Sequence, residues 1–165
     1  MSSIASTAQP VAAAAGCTPV VVYGCHGGAG ATILTAHLGS AREAGPITPD
    51  TLSLAAGRAV VVVARGTVAG SRLAIDAAAA LQAAGAATIV VAVVADGPWA
   101  EPLAVRARLR ALSGHVPVVR VPYIARWRFE DTPSFIPACY ERALARLRDA
   151  YCACRDGHLA NQATA

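Results

Sequence analysis

A short glycine-rich segment carries the residues whose types and spacing best fit a chemical role. It follows a run of valines and reads Cys-His-Gly-Gly-Ala-Gly-Ala-Thr-Ile. Glycines at this spacing let backbone N–H groups converge on an oxyanion, and a helix that begins just after them adds the positive end of its dipole. We therefore predict a phosphate-binding loop, with the candidate residues Cys25, His26, Gly27, Gly28, Ala29, Gly30, Ala31, Thr32 and Ile33.

The loop lacks the cation that usually accompanies such a cradle. In a P-loop, backbone amides hold the phosphates and a lysine neutralises the β and γ oxygens. Ala31 stands where that lysine is expected, and all 14 basic residues of the chain are arginines. Loss of a preorganised charge slows phosphoryl transfer on the order of a hundredfold or more. We expect binding of ATP or ADP with Mg²⁺ and little hydrolysis, the alternative being that the loop binds no ligand.

Four side chains are candidates for specific roles at this site. His26 can donate to a phosphate in place of the lysine, and Arg65, at the end of a later valine run, can supply a full positive charge. Thr32 offers a hydroxyl to Mg²⁺, or it simply starts a helix. Asp96 follows another strand, where open α/β sheets bind ligands, or it caps the next helix.

A second group of residues indicates a surface for a protein partner or a second copy of the chain. It combines aromatic rings with guanidinium groups, which are enriched among interface anchors. The alternative is a loop whose arginines pair with the acidic residues that follow. The candidate partner residues are Tyr123, Arg126, Trp127 and Arg128.

Composition restricts the class of protein. Hydrophobic residues make up 55% and charged residues 15%, which excludes a disordered chain. The net charge of +4 comes without a basic run, so nucleic-acid binding is not indicated. The longest apolar run, residues 86–95, is too short to span a membrane. Five cysteines, an odd number, and no apolar leader favour a cytoplasmic protein.

The elements that must position the loop alternate along the chain. Nearly continuous β-branched runs predict strands at residues 19–24, 58–65, 87–95 and 116–121, and helical patterns fill residues 30–44, 69–84, 99–113 and 133–155. Residues 45–57, with two prolines, read as a loop. This order predicts an α/β fold, a three-layer sandwich with a mostly parallel sheet of about four or five strands. We expect one domain over residues 17–155, flanked by tails at residues 1–16 and 156–165.

The glycine loop, residues 25–32, resembles the deviant P-loop of the MinD/ParA family of bacterial ATPases. In that family the pattern is Lys-Gly-Gly-x-Gly-Lys-Thr, and a glycine precedes it. His26 stands at the signature lysine, Ala31 at the phosphate lysine, and Thr32 matches the magnesium-binding hydroxyl. The Pro122-Tyr123 pair after a strand is similar to the end of that family's closing strand. The resemblance extends to its pilus-localisation relatives of the TadZ/CpaE type and to small actinobacterial proteins linked to conjugative elements.

The resemblance implies a shortened, degenerate P-loop NTPase-like protein, because residues 45–57 offer no counterpart to the family's second strand and catalytic aspartate. Its expected function is a non-hydrolysing nucleotide- or phosphate-binding scaffold, linked to conjugation, pilus localisation or partitioning. The alternatives are an ATPase that uses an arginine in place of the lysine and a dinucleotide-binding oxidoreductase. A lysine-free chain cannot supply the Tyr-x-x-x-Lys pair of short-chain dehydrogenases, which disfavours the oxidoreductase.

Overall fold

The computed structural model describes residues 19–129 and 135–162, without the side chains of residues 128 and 154–162. Five parallel strands form one sheet with helices on both faces, which confirms the α/β three-layer prediction. The strands are β1 Val20–Gly24, β2 Ala41–Pro46, β3 Ala59–Arg65, β4 Thr88–Val94 and β5 Val118–Val121. The helices are α1 Ala31–Leu38, α2 Pro49–Leu52, α3 Val68–Ala83, α4 Leu103–Leu112 and α5 Ala138–Gln162.

The structure describes only part of the two predicted terminal tails. The tail at residues 1–16 lies outside the described residues. Of the tail at residues 156–165, the part up to Gln162 continues α5, which therefore extends beyond the position near residue 155 where we expected it to end.

The strand order β2-β1-β3-β4-β5 places a crevice beside the glycine loop. The chain leaves β1 in one direction to form β2 and then crosses to the other side of β1 to form β3. Connections that diverge in this way open a gap between the carboxyl ends of β1 and β3. Open α/β sheets bind ligands at such a position. The loop after β1 lies at this position.

The sheet is buried on both faces, which explains the continuous valine runs. Val20 and Val22 point toward a core shared with α1 and α5, whereas Val21 and Tyr23 point toward a core shared with α3 and α4. On β3, the alternate residues Val61 and Val63 lie in the first core, and Val60 and Val62 lie in the second. Each β1 or β3 side chain therefore packs against a helix layer, so the strand that precedes the loop is rigidly held.

Our prediction for residues 30–57 was wrong in its details. The helix that we placed at residues 30–44 ends at Leu38, because Gly39 takes a φ of +80° that stops the helix. An edge strand, β2, then pairs with β1. The segment that we read as a loop holds the end of this strand, the short helix α2 and a 3-10 turn at Ser53–Ala55.

A bulge bends the edge strand where it passes the loop. Val22 pairs with Glu43 and the next residue, Tyr23, pairs with Gly45, so Ala44 is an extra residue in β2. Gly45 has a φ of +78°. Such bulges redirect the side chains around them.

Replacing Thr88 with valine should stabilise the protein. Thr88 begins β4, is only 6% exposed, and its Oγ1 has no hydrogen-bond partner among the described residues. Valine keeps the shape and removes a buried hydroxyl whose desolvation is not compensated. We expect a gain of about 1 kcal/mol, which raises the melting temperature by about 2–4 °C.

The matched control for Thr88→Val is Thr51→Val, measured by the same thermal denaturation followed by circular dichroism. The Thr51 hydroxyl bonds to Pro46 O at 2.9 Å and closes the capping box of α2 with Thr48. This change should therefore lower the melting temperature. A Thr88→Val protein that melts below the wild type would contradict the assignment of an unsatisfied hydroxyl.

Candidate phosphate-binding site

The glycine loop connects β1 to α1 at the carboxyl edge of the sheet. Gly28 has a φ of +73° and Gly30, which precedes the helix, has a φ of +93°, so both positions use the left-handed region that favours glycine. Gly27 does not adopt this region. The conformation of the loop before the helix therefore requires glycine at Gly28 and Gly30 in particular.

Most of the amides in this loop and in the first helical turn are available to a ligand. Cys25 N–H donates to Val63 O at 2.9 Å and Ala29 N–H donates to His26 O at 3.3 Å. Within residues 19–129 and 135–162 no acceptor is found for the other amides up to the first intrahelical bond, and no side chain caps the helix. These amides belong to His26, Gly27, Gly28, Gly30, Ala31, Thr32 and Ile33.

A hollow of about 510 Å³ lies against the loop. Residues 26–33 form one wall, and Glu43, Gly45 and Pro46 of β2 form the other. Cavities of 300–1,000 Å³ are typical of small-molecule sites. No side chain among the described residues therefore fills the space beside the glycines, and this space is large enough for a phosphate group.

His26 braces the loop internally. Arg65 N–H donates to His26 Nε2 at 3.4 Å, which leaves the proton of a neutral ring on Nδ1. Nδ1 in turn donates to Gly27 O at 3.0 Å. Because both ring nitrogens bond to the backbone, His26 in this arrangement braces the loop and has no free donor for a phosphate.

Arg65 is the cation that contacts the loop. Its Nε donates to Gly28 O at 3.1 Å, and its Nη1 lies 3.2 Å from Asp96 Oδ1. The guanidinium therefore joins the loop after β1 to the ends of β3 and β4. Asp96 pairs with Arg65 instead of capping a helix, since α4 begins only at Leu103 after Pro102.

Thr32 lies beside a carboxylate that the sequence did not indicate. Its Oγ1 donates to Glu43 Oε1 at 3.1 Å, and both residues line the hollow. A hydroxyl and a carboxylate are oxygen ligands of the kind that Mg²⁺ prefers. In the part of the chain that the structure describes, no three His, Cys, Asp or Glu residues come together as a metal site.

The side chains of the remaining loop residues are packed against the protein. Ala29 and Ala31 are buried, and Ile33 packs at the edge of the same core. Cys25 is half-buried, and burial raises the pKa of its thiol to about 12. The thiol is therefore protonated at neutral pH, which makes it a weak nucleophile.

The predicted partner surface divides into buried and exposed parts. Trp127 is half-buried, stacks on His37 with ring centroids 5.8 Å apart, and meets Tyr140 edge-on at 4.6 Å. Its Nε1 donates to Phe135 O at 3.2 Å. Tyr123 is half-buried, Arg126 is exposed, and the Arg128 side chain lies outside the described residues.

A smaller hollow of about 160 Å³ separates the loop from Trp127. Arg65 and Asp96 line it from the sheet edge, Gly28 from the loop, and Tyr123 from the segment after β5. The site predicted at the loop and the ring of Tyr123 are therefore neighbours, although they lie about 100 residues apart in the sequence.

Sequence reasoning missed Glu43, because it lies on an edge strand that we predicted as a helix.

Among the described residues, no helix has the length and apolar composition needed to cross a membrane. A search against models of known protein families finds no match for this chain, and a search of curated proteins also finds none, so the resemblance to the MinD/ParA family rests on the loop and strand residues quoted above.

Proposed function

We propose that this chain binds a nucleotide or another phosphate-bearing ligand at the glycine loop without hydrolysing it. The observation that carries the proposal is a row of backbone amides that have no acceptor among the described residues and belong to residues lining an open hollow. Amides at a helix start bind anions through hydrogen bonds and through the helix dipole. ATP and ADP are the expected ligands.

Arg65 supports this proposal because it brings a permanent positive charge to a loop that lacks lysine. Its guanidinium already contacts Gly28 O, and its side chain is 40% exposed, so a ligand at the loop can reach it. An arginine offers several donors to a phosphate and does not lose its charge. It contacts the loop from the β3 side and not from within the loop, so we expect binding and not efficient catalysis.

Thr32 and Glu43 fit a magnesium ion that accompanies the phosphates. Glu43 brings a negative charge to the hollow, which would repel a bare phosphate. A bound Mg²⁺ would offset this repulsion, and the Thr32 hydroxyl and the Glu43 carboxylate would be its protein ligands. We expect nucleotide binding to depend on Mg²⁺ for this reason.

The scaffold part of the proposal rests on the segment after β5. Arg126 is exposed and Phe129 is 89% exposed, close to the hollow that Tyr123 lines. Exposed aromatic and arginine side chains are frequent anchors of protein interfaces. We infer that a protein partner or a second copy of the chain docks here.

A second candidate function is an ATPase in which Arg65 replaces the lysine. The contact between Arg65 and Gly28 favours this alternative over the oxidoreductase, which no contact in the loop supports. Arginines supplied from outside a P-loop stabilise the charge that develops during phosphoryl transfer. The two functions differ in one result, the release of phosphate from ATP.

Calorimetric titration with ADP, ATP and NAD, with and without Mg²⁺, tests the proposal. We expect ADP and ATP to bind in the presence of Mg²⁺ and no phosphate to be released over hours. Thr32→Ala should weaken the Mg²⁺-dependent binding, and Thr35→Ala is the matched control, because the Thr35 hydroxyl bonds to Ala31 O within α1. Phosphate release would favour the ATPase, and the absence of binding by the nucleotides and by inorganic phosphate would overturn the proposal.

A further inference from the structure

An exposed tryptophan marks a hollow on the other side of Asp96 from the glycine loop. Trp99 is 82% exposed, and its indole lies against Gly97, where an added Cβ would be 2.6 Å from Nε1. The ring borders a hollow of about 380 Å³ whose mostly apolar walls include Val68 and Pro102. Most of the indole is therefore open to solvent beside this hollow.

A basic hollow of about 460 Å³ adjoins the apolar one. Arg106 and Arg110 of α4 line it together with Arg120 of β5. Glu101 and Arg120 also line the apolar hollow, so the two spaces share a wall. We refer to the two adjoining hollows together as the cleft; the first is bordered by Trp99 and the second by arginines.

The arginines of this cleft are arranged for an anion. Glu101 binds Arg120 through two oxygens, with Nη2 3.0 Å from Oε2, which fixes the Arg120 guanidinium in place. The Arg106 and Arg110 side chains have no ion-pair or hydrogen-bond partner among the described residues. Three arginines and one glutamate leave a local charge of +2.

The neighbouring arginine of α4 behaves differently. Arg108 Nη1 donates to Val68 O at 2.9 Å and thereby ties α4 to the start of α3. Arg106 and Arg110 lie one helical turn apart and line the same hollow. A simple solvated helix face would not explain why these two meet a third arginine from β5.

We propose that this cleft is a second ligand site, for an aromatic base that carries a phosphate group. The base stacks on Trp99 in the apolar hollow, and the phosphate lies against Arg106, Arg110 and Arg120. Stacking of bases on exposed aromatic rings and contact of guanidinium groups with phosphate are both well-established modes of recognition. The cleft shares Asp96 with the smaller hollow beside the glycine loop, but no residue of the loop lines the cleft.

Binding of adenosine monophosphate, adenosine and inorganic phosphate tests this site. We expect the monophosphate to bind at least tenfold more tightly than either fragment and to quench tryptophan fluorescence. Trp99→Ala should weaken binding about tenfold or more and remove most of the quenching. Arg106→Ala with Arg110→Ala should also weaken binding about tenfold or more.

The matched control is the double variant Arg142→Ala with Arg146→Ala on α5. These two arginines have the same spacing and are exposed, but α5 packs on the opposite face of the sheet from α4. The control should bind the monophosphate within about twofold of the wild type. Equal losses in the control and in the α4 variant would overturn the proposal, because general electrostatics would then explain the binding.

A third variant separates this site from the glycine loop. If Arg65→Ala abolishes binding of the monophosphate while Trp99→Ala leaves it unchanged, the ligand binds at the loop and the second site is refuted, whereas the proposed function stands. If Trp99→Ala abolishes binding and Arg65→Ala does not, the second site is supported even where the loop binds nothing. Circular dichroism confirms that each variant is folded before it is titrated.

Discussion

Replacing Arg65 with alanine should lower the affinity for ADP at least about tenfold. Hydrogen bonds to charged groups contribute about 1.5–3 kcal/mol, and the lower end applies here because the Arg65 side chain is 40% exposed. The change also removes the hydrogen bond from Nε to Gly28 O, so the loop loses a stabilising contact as well as a nearby positive charge. Calorimetric titration with ADP and Mg²⁺ measures the loss.

Two further variants show whether this loss is specific. Arg65→Lys keeps the charge but cannot bond Gly28 O and Asp96 with the geometry of a guanidinium, so it should bind ADP with intermediate affinity. Arg72→Ala removes an exposed arginine from α3 and should leave the affinity unchanged. Wild-type affinity in Arg65→Ala, or an equal loss in Arg72→Ala, would show that Arg65 is not the cation of the site.

Replacing Gly70 with alanine should destabilise the protein by about 3 kcal/mol, which corresponds to about 10 °C in melting temperature. Gly70 is buried in the first turn of α3. A Cβ there would lie 2.2 Å from Arg65 O and 3.1 Å from Thr67 Oγ1. Neither atom can move freely, because Arg65 O belongs to the backbone at the end of β3 and the Thr67 hydroxyl caps α3.

The sign of this effect distinguishes contact from helix propensity. Alanine is favoured over glycine inside a helix by about 1 kcal/mol, so propensity alone predicts a higher melting temperature. Gly27→Ala is the matched control, since nothing lies within 4 Å of its added Cβ and its φ is not positive. A Gly70→Ala protein that melts at or above the wild-type temperature would refute the close approach of α3 to β3.

The sequence was most informative where residues are buried. The three inner strands, β1, β3 and β4, are valine-rich because both faces of the sheet are covered, and this property is visible without a structure. The glycine loop was also predictable, because Gly28 and Gly30 adopt conformations that other residues avoid. The helix start just after them followed from the same pattern.

The exposed parts of the fold were harder to predict. The edge strand β2 contains Arg42 and Glu43 and lacks an apolar run, so its identity depends on pairing with β1. The carboxylate next to Thr32 could not be predicted without that pairing. Trp127 suggested a surface anchor, but its partners Tyr140 and His37 come from two helices, and only the folded chain brings them together.

The position of Arg65 could be predicted from the sequence only in part. Its place at the end of a predicted strand made it a candidate cation, since the carboxyl ends of parallel strands lie on one edge. That β3 is a neighbour of β1 was not evident, because the order of strands in a sheet does not follow from their order along the chain. The contact with Gly28, and not the residue type, distinguishes Arg65 from the other arginines.

The crossing of the chain from β2 over β1 to β3 also constrains how the site is made during translation. The loop is held by a residue that is synthesised 37 positions later. Until Arg65 has emerged from the ribosome, the glycine loop lacks the hydrogen bond from the Arg65 guanidinium to Gly28 O. It also lacks β3, which pairs with β1 in the folded protein. Emergence of β3 is therefore the step at which the nascent chain can fix the conformation of the glycine loop, and a pause before that point would delay this step.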